Sequence, residues 1–98
     1  MRNAMRPIHP GEILKADVLD ALHMSASALA RALGVPPNRI TGIVNEERAL
    51  TADTALRLAR YLGGDPQFWL NLQALYDLRK AEIESGKKIE RAVAPRAA

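Results

Sequence analysis

The sequence predicts an all-α protein, one small bundle of five helices. Three observations predict it. Apolar residues recur at i, i+3, i+4 and i+7, the stripe of an amphipathic helix, and nowhere alternate as a half-buried strand would require. Capping residues and Gly or Pro stops cut that stripe into five segments. The 98 residues include no cysteine, which leaves room for one hydrophobic core and no disulfide scaffold.

The first helix follows Pro10-Gly11, sets Leu14, Val18, Ala21 and Leu22 on one face with Glu12 near its positive N-terminal end, and stops near His23. The second opens at Ser25 or Ser27, either of which can cap orphan N–H groups. It carries Ala26, Leu29, Ala30 and Leu33 on one face and ends at Gly34. Pro36-Pro37 forbids its continuation but suits the first turn of a third helix, about Pro37 to Asn45, with Ile40, Ile43 and Val44 inward. Thr51 caps the fourth, which has Asp53 in its first turn, buries Ala55, Leu58, Ala59 and Leu62, and stops at Gly63-Gly64. In the fifth, Asp65 caps, Pro66 takes the first helical position, and the helix runs through Trp69 to about Glu84 before Ser85-Gly86 ends it. This divides the chain into an N-terminal arm (1–9), a folded domain (10–85) and a basic tail (86–98). The tail has too little apolar surface to offset the entropy of ordering it, and so reads as flexible.

Helices two and three, separated by Gly34-Val35-Pro36, have the spacing of a helix-turn-helix. Ala30 must be small because the next helix crosses over it, Gly34 supplies a left-handed turn, and Ile40 and Ile43 lock the pair. With Ile40, Ile43 and Val44 inward, steps of 100° per residue put Asn38, Gly42 and Asn45 at the centre of the outer face and Arg39 and Thr41 on its flanks. Such a face suits the major groove of a DNA duplex. Asn pairs bidentately with adenine, Arg pairs with guanine or phosphate, Thr offers a hydroxyl and a methyl, and Gly42 lets the helix come close to base edges. Phosphate contacts are expected from Ser27, at the N-terminal end of the second helix, and from Arg48 in the loop after the third. Glu46-Glu47 beside that loop would repel phosphate, so affinity per copy should be modest.

Modest affinity is raised by pairing two copies, and the fifth helix looks built for it. Eight of the eleven residues in Phe68 to Leu78, FWLNLQALYDL, are apolar. A helix apolar over most of its circumference buries more than one side. One side would pack on helices one and four and the other on a second copy, with Phe68, Trp69, Leu72 and Tyr76 at the seam. Two recognition helices on a twofold axis would read half-sites roughly 34–36 Å apart on a palindromic operator.

Other classes find less support. The net charge of +3 sits at the chain ends, and residues 79–98 alone hold six basic and three acidic side chains. All four aromatics lie between Tyr61 and Tyr76, interleaved with Leu and not with basic residues, unlike a single-strand stacking platform. No nucleophile with a base, carboxylate pair or metal cluster is visible, so no enzyme, cofactor, metal or small-molecule substrate is expected. His9 in His-Pro-Gly reads as a staple or hydrogen-bonding partner. There is no apolar run of membrane-spanning length and no signal-peptide pattern, so a cytoplasmic location is expected.

At these residues the chain resembles the HigA-type antitoxins, a branch of the Cro/repressor-like (XRE) helix-turn-helix family. MRPIHPGEIL, LARALGVPPNRI, TADTALRLARYLG and PQFWLNLQ look like that branch's signature blocks, across about Met5 to Arg79. The resemblance implies a homodimer that binds double-stranded operator DNA to repress its own operon. It also implies neutralisation of a co-encoded HigB-like toxin, a small RelE-type mRNA interferase. The pattern departs from the family after Asn45, where Gly and then a basic residue are usual and this chain reads Glu46-Glu47-Arg48. Acidic residues of the first helix, Glu12, Asp17 and Asp20, are the expected groups facing a cationic toxin. Two alternatives stay open: a stand-alone regulator without a toxin, and a neutraliser whose helix-turn-helix is vestigial.

Overall fold

A histidine cap opens the first helix. In a computed structural model describing residues 6–97, Nδ1 of the buried His9 accepts a hydrogen bond from the Gly11 N–H at 2.9 Å, and Pro10 occupies the first helical position. Helix α1 (Pro10–Ile13) therefore begins at Pro10 and not after Gly11. Residues 1–5 of the predicted arm, and Ala98, lie outside the described residues. The helix then widens into a π-helical stretch, Leu14–Asp20, in which hydrogen bonds reach five residues instead of four. The extra residue per turn rotates the register. Leu14 and Val18 are buried as expected, but Leu19 takes the inward place that uniform α-helical stepping gives to Ala21 and Leu22, and Leu22 is left 50% exposed. His23, at φ 54°, ends the helix.

Helix α2 (Ala26–Leu33) is capped by Ser25, whose Oγ accepts from the Ala28 N–H at 3.0 Å, so Ser27 lies inside the first turn. At its other end Gly34 adopts φ 71°, and the N–H groups of Gly34 and Val35 turn back to the carbonyls of Arg31 and Ala30. These paired bonds satisfy carbonyls the helix end would orphan and send the chain into α3 (Pro37–Val44). Leu29, Ala30, Ile40 and Ile43 are fully buried, which locks α2 to α3 as the spacing predicts. Gly11 fixes α1 against the end of α3, because a Cβ there would collide with the Ile43 carbonyl.

Helix α4 (Ala52–Leu62) is capped by Thr51 and buries Thr54, Ala55 and Leu58, while Ala59 is half-buried and Leu62 leaves the core. Gly63 and Gly64, both at positive φ, turn the chain into α5 (Pro66–Ala92), where Asp65 accepts from the Gln67 N–H at 2.9 Å. This helix does not stop at Ser85-Gly86, contrary to the sequence expectation. A single glycine inside a helix costs only about 1 kcal/mol. Here Ala81, Glu82, Glu84, Lys87, Lys88 and Arg91, all good helix formers, surround it, with Glu84 and Lys88 at favourable i, i+4 spacing. Residues 86–92 of the predicted tail are therefore helical, and α5 extends about 40 Å at 1.5 Å per residue.

Candidate nucleic-acid interface

The two buried isoleucines of α3 decide what it shows to solvent. Asn38, Thr41 and Asn45 are exposed and stand at i, i+3 and i+7, one face of the helix. Asn45 is the C-terminal cap residue, one position past the helix, and the Thr41 hydroxyl donates back to the Pro37 carbonyl at 3.3 Å. Ser27 is exposed in the first turn of α2, which precedes α3 across the turn, and Arg48 is exposed in the loop that follows α3. The structure thus puts three predicted DNA-contacting residues on one outward face.

Two predicted members behave differently. Gly42 is half-buried, and a Cβ on it would meet the Arg48 Cδ at 2.6 Å. Its missing side chain makes room for the Arg48 stem. The Gly42 carbonyl also accepts from the Glu47 and Arg48 N–H groups at 2.8 and 3.2 Å, folding the loop back on the helix. Glu46 sits in that loop at φ 63°, a left-handed conformation that suits glycine, so the departure in the sequence falls at a position that disfavours a side chain.

Arg39 is half-buried and turned to α4. Its Nη1 donates to Asp53 Oδ1 at 2.6 Å, and Arg57 Nε donates to the same oxygen at 2.7 Å. Arg57 also donates through Nη1 to the Leu33 carbonyl at 2.8 Å. The Arg57 hydrogen bond, and then that of Arg39, hold the Asp53 carboxyl below its ordinary pKa. Asp53 and Arg57 went unnoticed as site residues in the sequence, although their i, i+4 spacing on α4 is the available signal.

Of the four predicted seam residues on α5, one is buried within its own chain. Trp69 is only 6% exposed and belongs to the core of its own chain, because the turn at Gly63-Gly64 lays that side of α5 against α4 and α1, as the sequence predicts. Phe68 is 53% exposed and stands edge-on to the Trp69 ring, with centroids 5.2 Å apart. Leu72 and Tyr76 are half-buried, and the Tyr76 ring meets the His9 ring edge-on at 4.8 Å. Next to them Leu75 and Leu78 are exposed above a groove whose other wall is Pro7, Ile8 and Ile13. On the first helix, Glu12 takes a bidentate contact from Arg6, and Asp20 pairs with Lys15. Among the described residues no cluster suits a metal ion, and no helix is long and apolar enough to cross a membrane.

A helix-turn-helix family model matches residues 15–69. The virulence-associated protein I of Dichelobacter nodosus is 59% identical over 81 residues, 83% of this chain and 75% of that protein. Among solved structures, an addiction module antidote protein of the HigA family from Coxiella burnetii superposes with a TM-score of 0.90 at 55% identity, over 94% of this chain and all of that one. The Pseudomonas aeruginosa antitoxin HigA, solved with the higBA promoter, superposes with a TM-score of 0.91 at 47% identity, again over 94% of this chain and all of that one. The chain belongs to the helix-turn-helix family and, within it, to the HigA-type antitoxins.

Proposed function

We propose that this chain is an antitoxin that acts as a homodimer, binding a palindromic operator to repress its own operon and neutralising a co-encoded HigB-like toxin. It carries out no catalysis and works in the cytoplasm, where the promoter is. The observation that carries the reading is the exposed face of α3, where Asn38, Thr41 and Asn45 stand together on a helix whose other side is anchored by two fully buried isoleucines. A rigid helix with short polar side chains is suited to major-groove readout. The relative solved with its promoter supports the same role. Ser27 and Arg48 supply phosphate contacts, and Arg39 a base or phosphate contact from the flank. The dimer seam is Phe68, Leu72 and Tyr76, extended by Leu75 and Leu78, with Trp69 supporting it from inside.

The test has two parts. The purified chain should shift a duplex taken from immediately upstream of its own reading frame, and the shift should weaken steeply with salt as counterions are released. The product of the adjacent reading frame should co-purify with it. A shift without co-purification would favour a stand-alone regulator.

A further inference from the structure

An arginine free on the flank of a recognition helix would pair with any phosphate it met, adding affinity without sequence information. Arg39 is not free. Asp53 holds it at 2.6 Å, Arg57 holds Asp53 at 2.7 Å, and Arg57 is itself tied to the Leu33 and Gly34 carbonyls at 2.8 and 3.4 Å. The chain of bonds joins the flank of α3, the first turn of α4 and the turn between α2 and α3. Two cations share one carboxylate, so the cluster keeps a net positive charge, and the ion pair occupies Nη1 of Arg39 while other guanidinium donors remain. We propose that Asp53 is a positioning residue for DNA recognition, holding Arg39 in the orientation that suits the operator and withholding it from duplexes of other sequence. The inference rests on α3 being the recognition helix.

Two effects follow from the geometry. Fixing Arg39 before DNA arrives spares the entropy of ordering a long side chain on binding, which favours the one contact that this orientation permits. The same ion pair keeps Arg39 from turning to phosphates that approach out of register. Asp53 is kept charged by its two arginines, since its pKa is lowered, and so both effects persist throughout the neutral range.

The experiment measures affinity of the full chain for two duplexes of equal length, one from upstream of its reading frame and one of random sequence, across a salt series. For Asp53→Asn we expect weaker operator binding and stronger random-duplex binding, so that discrimination falls on the order of tenfold, the scale of one good base contact. The random-duplex salt slope should steepen by about 1 as Arg39 turns to phosphate. In an Arg39→Ala background, Asp53→Asn should leave discrimination unchanged, the coupling expected of residues that act as a unit. Equal changes on both duplexes, or an effect that persists without Arg39, would overturn the role of Asp53. Failure of the wild-type chain to prefer the operator would overturn the recognition-helix reading itself, and the proposal with it.

Discussion

Helix α3 has eight residues and α5 has twenty-seven, yet the shorter is the more completely packed. Ile40 and Ile43 of α3 are fully buried, and beyond Pro37 what α3 exposes is polar. Of all the residues in α5 only Trp69 is buried, while Phe68, Leu75, Leu78, Ile83 and Ile89 stand exposed along it. The helix-turn-helix thus completes its burial within one chain, whereas α5 leaves apolar surface that one chain does not cover. The reading head is finished within one copy and α5 keeps an apolar face open, the division that the proposed dimeric DNA binder needs.

The contrast can be broken hardest at the two buried anchors. Trp69→Ala should cost about 3–5 kcal/mol, the usual range for emptying a large buried aromatic site, read from a urea melt. Gly11→Ala should cost on the order of 3 kcal/mol in the same melt, because the new methyl meets the Ile43 backbone carbonyl and α1 must move off α3. The same exchange at Gly86, where a Cβ meets open space in the middle of α5, should stabilise by about 1 kcal/mol. Opposite signs for one chemical change would mark which region is tightly packed. If Gly11→Ala proved harmless, the close approach of α1 to α3 would be refuted.

A milder pair probes the surfaces. Leu75→Glu with Leu78→Glu should leave helix content unchanged by circular dichroism and halve the mass by light scattering; a persisting dimer would move the seam elsewhere. Glu46→Gly should stabilise by about 1 kcal/mol by relieving a left-handed residue of its side chain, and should tighten DNA binding by removing a carboxylate near the phosphates. Smallest is the pH effect of Asp53. Its folded-state pKa is below the unfolded one, so its contribution is present above the unfolded value, near pH 4, and fades as pH falls through the folded value. Asp53→Asn should flatten that part of the acid-stability curve.

The legible parts of the fold were those with chemical punctuation. Gly34, Pro37, Thr51 and Asp65 each end or begin a helix through a local conformation or hydrogen bond, and such local rules can be read without knowing the tertiary structure. The π-helical stretch was not legible, because no residue type marks it and only the packing of Leu19 reveals it. Gly86 misled for the opposite reason, being a stop signal outweighed by good helix formers on both sides. Helical periodicity places Asn38, Thr41 and Asn45 outside, but it cannot show that Arg48 crosses Gly42 or that Arg39 turns to Asp53. Both contacts join separate elements and depend on how those elements meet.

On the proposed function, the outer face of α3 reads operator DNA. Its most direct test is a gel shift of the upstream duplex with Asn38→Ala and Thr41→Ala combined. Binding to this duplex should fall by on the order of a hundredfold, with circular dichroism unchanged and weak random-duplex binding retained. A double variant that shifts the operator as the wild type does would contradict it.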